Sequence, residues 1–304
     1  MFFLKVRYHL AKVICPMFPP IVAQSLRERI ITINEGEVLQ KKFQRKSFTG
    51  GKLVGTTADF HAFKFDIHGY FEWRNVVIAR CVLAKFKKGD IIEVGGNVGT
   101  ETVSFADIAK KFQVNAYSYE PSPDNYVYLE KLKAVNEYSH LALFPYLVSD
   151  QMGTASFRIP EGNRSGSGHI SSDQTDAVFE VVTLDQQHSN RTVAFVSIDV
   201  EGFDFHVLRG AKSLLQRDKP FVVVEVNDKF LRQRGNTSAQ ELYDYMRALD
   251  YELFYMRPLG IEPVDLSNLV TFSNKNWVCI PSEFAEQSHV LHRAIQFHAF
   301  NPFV

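Results

Sequence analysis

A short apolar run that ends in an acidic residue and a glycine-rich bend constrains this 304-residue chain more than any other feature. Residues 90–94 read Asp-Ile-Ile-Glu-Val, and Gly95, Gly96 and Gly99 follow before a segment that begins a helix near Thr100. In an open parallel sheet, a strand-to-helix turn of this kind is where nucleotide-like ligands bind. Glycines let the backbone approach a ligand closely, and the helix N-terminus offers unpaired N–H donors. The stretch predicts a ligand-binding turn; a tight turn that binds nothing is the alternative.

Glu93, near the end of the apolar run, indicates which ligand the turn accepts. A carboxylate repels a pyrophosphate, whereas it suits a cationic amino-acid group or a hydroxyl. A dinucleotide fingerprint also requires G-x-G-x-x-G, and Asn97 stands where its second glycine would be. S-adenosylmethionine (SAM) therefore fits these residues better than a dinucleotide does.

Composition places the chain among globular proteins, with 45% hydrophobic and 22% charged residues. Because the formal net charge is zero, no general attraction to nucleic acid is expected. The three cysteines, Cys15, Cys81 and Cys279, are widely spaced, so the sequence predicts neither a disulfide framework nor a zinc site. A reducing, cytoplasmic location is the simpler expectation, and no apolar run reaches membrane-spanning length.

Residues 1–88 are predicted to form a basic, aromatic N-terminal extension, and residues 89–304 the main domain. The first 50 residues contain nine lysines and arginines against three glutamates. Charges interrupt the first ten residues, so they lack the apolar core of a secretory signal. They fit either a basic amphipathic helix on a membrane surface or a helix packed on its own domain. A further helix is predicted over residues 72–84, leading into the first strand.

Apolar runs alternate with helix-like segments from residue 90 onward, which predicts β-α-β units around a parallel sheet. The predicted strands are 90–95, 114–119, 142–148, 193–198 and 220–225, with a terminal antiparallel pair at 251–256 and 276–280. A detour of two short strands, 154–159 and 179–184, flanks a polar loop over 161–176. Helices are predicted at 100–112, 125–132, 205–209, 237–249 and after 281.

Four of the predicted core strands end in an acidic residue: Glu93, Glu120, Asp199 and Glu225. Each could merely cap the helix that follows, but the carboxyl ends of parallel strands line one crevice. Glu120 lies 27 residues beyond Glu93, close to the spacing at which a second-strand acid binds ribose hydroxyls. The sequence therefore predicts one carboxylate-lined site.

The motifs D-I-I-E-V-G-G-N-V-G, Y-E-P-S-P, L-V-S-D-Q-M-G, T-L-D and I-D-V-E-G-F-D-F-H-V-L-R-G-A occur in this order. Over about residues 70–283, this pattern resembles the FkbM family of SAM-dependent methyltransferases. The most specific part is Asp199-Val200-Glu201-Gly202 followed by residues 207–211. The resemblance implies a class I methyltransferase fold: an α/β, Rossmann-like, mostly parallel seven-stranded sheet with a terminal antiparallel pair. It also implies O-methylation of a hydroxyl on a sugar, polysaccharide or polyketide.

The resemblance further implies a set of SAM-binding residues. The methionine part would be held by Glu93, Gly95, Gly96, Asn97 and Gly99, with Thr102 nearby; the ribose by Glu120, with Pro121 and Ser122 shaping its loop; and the adenine by Val148, Ser149 and Asp150. Asp199 would lie beside the methyl group. Four positions depart from the usual family residues: Glu93 for Asp, Gly96 for Ala, Ser197 for Lys, and Phe203-Asp204 for His-Glu. The changes at 197 and 203 could alter which acceptor binds and which residue acts as the base.

The candidate catalytic residues follow from the need of an alcohol acceptor for a base. Asp199 is the first candidate for base or orienting group, because it ends a central strand beside the methyl site. Glu201 and Glu225 come second, and Glu201 could equally cap a helix. His169 lies in a Gly/Ser-rich loop that could cover the acceptor, although a surface histidine fits the pattern as well. Nothing in the spacing requires a metal ion.

Three interpretations remain open from the sequence. The first is a SAM-dependent O-methyltransferase acting on a small molecule or a glycan or glycolipid-like hydroxyl, with no nucleic-acid partner. The second is a SAM-binding pseudo-enzyme that serves as an assembly partner, which the changes at Ser197 and Phe203 keep open. The third is a nicotinamide-dependent oxidoreductase, which the missing dinucleotide fingerprint disfavours. Peripheral membrane contact through the basic extension is a further expectation.

Overall fold

The computed structural model describes residues 1–159, 162, 165–171, 176–268 and 276–301. The helices in this part are α1 (Phe2–Ile14), α2 (Pro20–Ile30), α3 (Ile33–Leu39), α4 (Phe60–His68), α5 (Trp73–Lys85), α6 (Thr102–Phe112), α7 (Pro123–Asn136), α8 (Leu184–Gln187), α9 (Asp204–Arg209), α10 (Lys212–Asp218), α11 (Asp228–Gln233), α12 (Ala239–Ala248) and α13 (Ser288–Phe300). The strands are β1 (Lys42–Lys46), β2 (Lys52–Thr56), β3 (Asp90–Val94), β4 (Ala116–Tyr119), β5 (Leu141–Phe144), β6 (Leu147–Val148), β7 (Gly153–Arg158), β8 (His169–Ile170), β9 (Ala177–Val182), β10 (Val193–Ile198), β11 (Phe221–Glu225), β12 (Tyr251–Arg257), β13 (Gly260–Pro263) and β14 (Asn276–Pro281).

The main sheet has the strand order β13-β12-β14-β11-β10-β3-β4-β5. The strands from β5 to β11 run parallel, and every residue of β3, β10 and β11 is buried, as expected for a sheet covered on both faces. The chain moves outward from β3 through β4 to β5, then returns to the other side of β3 for β10. Such a reversal opens a crevice at the carboxyl ends of the strands.

Most predicted elements are confirmed, including the antiparallel pair of β12 and β14. β13 adds an eighth strand to the seven that the resemblance implies; it is a short edge strand that ends in Pro263. The single strand predicted at 142–148 is wrong. β5 ends at Phe144, and β6 pairs with β9 in a separate sheet of order β6-β9-β7-β8. Pro145, which has no N–H to donate, lies between the two strands.

The first 88 residues pack against the main sheet. Phe43, Leu53 and Phe65 belong to the same hydrophobic cluster as Ile91 of β3 and Phe105 of α6. Polar contacts join the same parts: the Asp107 carboxylate of α6 accepts hydrogen bonds from the Thr49 hydroxyl and the Gly51 N–H, each at 2.6 Å, and from the Tyr138 hydroxyl at 2.5 Å. The leader, residues 1–88, is thus held to α6 and to the end of α7.

Helix α1 packs on this leader by one face only. Tyr8, Ala11 and Cys15 are fully buried in a small cluster with Phe63 and Ile67 of α4. On that face, α1 is therefore a helix packed on its own domain, which is one of the two alternatives that the sequence left open. None of the helices in the described ranges has the length and apolar character needed to cross a membrane.

Replacing Asp107 by alanine should lower the free energy of unfolding by about 2–3 kcal/mol, because it leaves the Gly51 N–H and two hydroxyls without their acceptor. Urea unfolding followed by circular dichroism measures this change. Lys110→Ala, on the exposed face of the same helix, is the matched control and should change the free energy by less than about 0.5 kcal/mol. Equal effects of the two substitutions would contradict the proposed link.

Candidate functional site

The turn after β3 has the backbone geometry that its glycines allow. Gly95 and Gly99 have φ values of +96° and +89°, and Asn97 also lies in the left-handed region at +49°. The N–H groups of Gly95 and Gly96 both donate to the Tyr119 carbonyl of β4 at 3.0 Å. A Cβ at Gly95 would overlap the Asp199 carbonyl oxygen of the strand on the other side. The turn is therefore wedged between the ends of β4 and β10.

Glu93 lies behind this turn and is buried. One of its carboxylate oxygens accepts hydrogen bonds from the hydroxyls of Thr102 at 2.6 Å and Ser118 at 2.7 Å. Burial raises the pKa of Glu93 to about 7, although the two hydroxyls act in the opposite direction. Gly96 leaves room for this arrangement, because a Cβ there would overlap the Ser118 hydroxyl.

Glu120 directly follows β4 and lies beside the glycine turn. Its two oxygens accept the Asn97 N–H and the Ser122 N–H, each at 2.8 Å, and the Asn125 side-chain amide lies at 3.3 Å. Burial raises its pKa to about 7 as well. These bonds fix the carboxylate beside the glycine turn, where it can meet the hydroxyls of a ligand.

Asp199 and Glu225 form a carboxyl pair at the ends of the neighbouring strands β10 and β11. Each carboxyl group acts on the pKa of the other, so a proton on one of them favours the charged form of its neighbour. Desolvation inside the cleft, followed by the nearby carboxylates, raises the pKa of both well above the usual range. One Glu225 oxygen, Oε2, is buried and has no hydrogen-bond partner in the described part of the protein. The pair therefore binds a proton more tightly than an isolated carboxyl group does.

Two more acids surround this pair. Glu101, at the start of α6, accepts a hydrogen bond from the Asn75 amide at 2.9 Å, and burial raises its pKa well above the usual range. Glu72, from the leader, is among the carboxylates that raise the pKa values of Glu101, Asp199 and Glu225. The cleft therefore brings several acidic side chains together at the strand ends, where burial and mutual repulsion favour their protonated forms.

The turn after β10 is held by Asp204, whose buried carboxylate accepts the N–H groups of Val200 and Gly202 at 3.0 Å each. Glu201 has a φ of +56° and points its carboxylate to Arg234, at 3.1 Å. Glu201 thus lies at the rim of the cleft in an ion pair, less available for chemistry than Asp199. Across the residues that the structure describes, no three His, Cys, Asp or Glu side chains are arranged to hold a metal ion.

The short segment 165–168 covers the glycine turn. The Asn125 amide donates to the Ser165 carbonyl at 3.0 Å, and the Ser165 N–H donates to Asp59 at 3.2 Å. His61 Nδ1 accepts from the Asn97 amide at 3.1 Å, so this ring nitrogen carries no proton. Burial lowers the pKa of His61 to about 4, which fits a neutral ring. The leader therefore contacts both the turn and its cover.

These elements enclose a cleft of about 420 Å³, within the usual range for small-molecule sites. The predicted residues that line it are Glu93, Gly95, Gly96, Asn97, Glu120, Pro121, Val148, His169, Asp199, Glu201 and Glu225. His169 donates its Nδ1–H to the Ser167 carbonyl at 3.0 Å, and burial lowers the pKa of His169. The structure thus brings all four candidate catalytic residues to one cleft.

Five predicted cofactor residues do not line the cleft. Gly99 packs against Leu129 and Leu132 of α7, Thr102 supports Glu93, and the Ser122 N–H supports Glu120. Ser149 and Asp150 lie beyond β6, where Asp150 forms an ion pair with Arg209 at 2.5 Å. The Asp150 carboxylate is thus paired with a cation outside the cleft, and the position of Ser149 and Asp150 at the border of the adenine stays a prediction.

The leader contributes residues that the sequence did not indicate: Phe60, His61, Lys64, Phe71, Glu72 and Arg74. Lys64 lies 3.9 Å from the centre of the Phe60 ring, and burial lowers its pKa and that of Arg74. Neither cation forms an ion pair with any described residue. One feature of the sequence could have indicated this contribution: the charged residues Glu72 and Arg74 at the start of α5, the helix before β3. That end of α5 lies beside the glycine turn that follows β3.

A family model described as Methyltransferase FkbM domain matches residues 93–253, more than half of the chain. The chain belongs to the FkbM methyltransferase family. The strand order, with its antiparallel last strands, is that of the class I, Rossmann-like methyltransferases.

Three known proteins illustrate the similarity. Hexuronic acid methyltransferase AglP from Haloferax volcanii is 26% identical over 156 residues, which is 49% of this chain and 61% of that protein. The chain thus matches less than two thirds of this relative's length. The FkbM methyltransferase from Methylobacillus flagellatus has a TM-score of 0.44 and 12% identity, over 90% of this chain and 59% of that one. A ribosomal protein L11 methylase from Lactobacillus delbrueckii has a TM-score of 0.37 and 10% identity, over 67% and 75%.

Glu93→Gln should flatten the pH dependence of stability. A carboxyl whose pKa is higher in the folded than in the unfolded protein holds its proton more tightly when folded. The protonated carboxyl group stabilises the fold fully below 4.5, its pKa in the unfolded protein. This stabilisation is lost as the pH rises through about 7, its pKa in the folded protein. Between about pH 4.5 and pH 8, the free energy of unfolding of the wild type should therefore fall by up to about 3 kcal/mol relative to that of the variant.

Urea unfolding of both proteins across this pH range measures the difference. Glu130→Gln, at an exposed position on α7, is the control and should follow the wild type. A constant offset between wild type and Glu93→Gln at all pH values would show that Glu93 does not bind its proton more tightly in the folded state.

Proposed function

We propose that this protein is a SAM-dependent O-methyltransferase whose acceptor is a hydroxyl on a sugar, polysaccharide or glycolipid-like molecule. The observation that carries the proposal is the Asp199–Glu225 carboxyl pair beside a glycine turn in a chain of the FkbM family. Family membership supports methyl transfer, and the pair supplies a proton acceptor for an alcohol. A nicotinamide-dependent oxidoreductase finds no support in the turn, because Asn97 occupies the second fingerprint position.

The residues of the cleft fit SAM. SAM is cationic at its amino group and its sulfur, and Glu101 and Asp199 form no ion pair with a described residue. The Oδ1 atom of Asn97 is buried without a donor among the described residues, which suits an ammonium or amide N–H. Glu93 and the turn at residues 95–97 would hold the methionine part, Glu120 the ribose hydroxyls, and Val148 would border the adenine.

Bound SAM supplies an electrophilic methyl group for an in-line displacement by the acceptor oxygen. The chain's own residues position that oxygen and receive its proton. Asp199 is open to the cleft, whereas Glu225 is buried behind it, so Asp199 would take the proton directly. Glu225, with its unpartnered oxygen, would share the proton with Asp199 and keep the pKa of the pair high.

Asp199→Asn should lower kcat by about 10²–10⁴-fold, because the amide keeps the shape of the carboxyl group but cannot accept the proton. The dissociation constant for SAM should change less, since binding of the methionine and ribose parts rests on other residues. Transfer of radiolabelled methyl groups to a panel of sugars measures kcat, and calorimetry measures SAM binding.

Asp228→Asn is the matched control, because this carboxylate caps Ala239 and pairs with Arg232 outside the cleft. Wild-type turnover in Asp199→Asn would remove Asp199 from the chemistry. SAM binding by the wild type without transfer to any sugar would favour the pseudo-enzyme interpretation, for which the residues Ser197 and Phe203 leave room.

The cations Lys64 and Arg74 suit an acceptor that carries a carboxylate or phosphate group. Both line the cleft, and the buried Nε atom of Arg74 has no hydrogen-bond partner among the described residues. An anionic group would replace the water that burial removes from these cations. The relative named as a hexuronic acid methyltransferase supports an acidic sugar of this kind. The carboxylate of SAM itself is the other anion that could meet them.

Arg74→Gln should raise the KM for a uronic acid acceptor by about tenfold or more and leave the KM for its neutral parent sugar nearly unchanged. Steady-state kinetics with both sugars, at saturating SAM, separates the two acceptors. Arg80→Gln, on the outer part of the same helix, is the control. A raised KM for SAM with an unchanged acceptor KM would assign Arg74 to the donor instead.

A further inference from the structure

Helix α1 has two apolar faces, and only one of them is covered. Opposite the buried side chains of Tyr8, Ala11 and Cys15, a second row follows the spacing of three and four residues that aligns side chains on one helix face. Its members are Phe3, Val6, Leu10 and Val13, continued by Met17, and each is exposed. Phe2 and Phe3 are 75% and 80% exposed. A packed helix normally leaves polar residues on this side.

Further exposed apolar side chains lie on neighbouring helices. α2 contacts both α1 and α13. It is preceded by the exposed Phe18 and carries the exposed Val22. α13 adds Phe297 and Phe300, which are 62% and 57% exposed. Exposed apolar side chains therefore occur on three adjacent helices at the end of the molecule that the leader forms. Large exposed apolar surfaces of this kind mark a site of interaction.

The charges beside this surface are positive. Between α5 and α13 lies a groove of about 480 Å³, and Phe297 is part of its wall. Arg80, Lys85 and Arg293 line the same groove, and no aspartate or glutamate does. None of these three cations forms an ion pair with a described residue. α1 itself contains Lys5, Arg7 and Lys12 but no acidic residue. Arg7 and Lys12 form ion pairs with Glu35 of α3 and Asp66 of α4, so among the described residues Lys5 is the cation that α1 leaves without such a pair.

We propose that the exposed apolar face of α1, with Phe18, Val22, Phe297 and Phe300, docks on an anionic phospholipid membrane. Exposed phenylalanines with flanking cations are the composition of a helix that lies in the interface of a bilayer. A second copy of the chain is a poorer occupant, because α1 contains no acidic residue that could pair with Lys5 of another copy. The lipid headgroups supply the negative charge that the α5–α13 groove lacks. This inference does not depend on the methyl-transfer reaction.

Vesicle flotation with the full chain tests the proposal. The wild type should float with phosphatidylcholine vesicles that contain about one third phosphatidylserine, and much less with phosphatidylcholine alone. Phe3→Ser/Leu10→Ser should weaken binding to the anionic vesicles by at least about tenfold, because two apolar side chains no longer enter the bilayer. Arg80→Gln/Arg293→Gln should weaken it by about five-fold for each removed charge.

Val127→Ser/Met152→Ser is the matched control, since these apolar residues are 43% and 61% exposed but lie outside the leader. Its binding should equal that of the wild type, and thermal unfolding should show that all variants remain folded. The proposal is overturned if the wild type does not float, or if Phe3→Ser/Leu10→Ser binds as well as the control. It is also overturned if the wild type is a dimer that stays off vesicles and that Phe3→Ser/Leu10→Ser converts to a monomer.

Discussion

Carboxylates that share a confined cleft repel one another unless protons or a cation join them, and this constraint shapes the whole site. β3, β10 and β11 end side by side, so their terminal acids must lie within one crevice. The protein satisfies some of them with hydroxyl and backbone donors, as around Glu93 and Glu120. It places Asp199 and Glu225 together, where burial and mutual repulsion raise the pKa of both. A ligand with positive charge relieves the repulsion that remains, and a methyl donor of the sulfonium type has that charge.

The leader completes this site. Without it, the glycine turn would be open to water on the side that α4 and α5 now occupy. Burial of the leader's apolar residues in the same cluster as β3 holds Glu72 and Arg74 beside the strand ends. The same segment presents a different surface outward, where α1 exposes its second apolar face. One stretch of chain therefore serves both the cleft and the outside of the molecule.

The sequence predicted the parts of the fold whose patterns are local. Buried strands such as residues 193–198 are continuous apolar runs, and the glycine turn marks the site with its spacing. The predictions from the sequence were wrong or incomplete where an element or a contact depends on residues far apart in the chain. Leu147 and Val148 continue an apolar run, yet they join β9 because Pro145 ends the pairing with β4. No motif indicates that the Asp150 carboxylate pairs with Arg209 from another helix. The contribution of the leader was missed for the same reason, since no short motif reports that His61 contacts Asn97.

Ser165, in the segment that covers the glycine turn, forms hydrogen bonds with Asp59 in the leader and with Asn125 in α7. A fragment that starts at residue 89 would keep every sequence motif of the family but lose one of these two anchors and a wall of the crevice. The smallest unit able to retain its ligands is therefore larger than the segment by which the family is recognised.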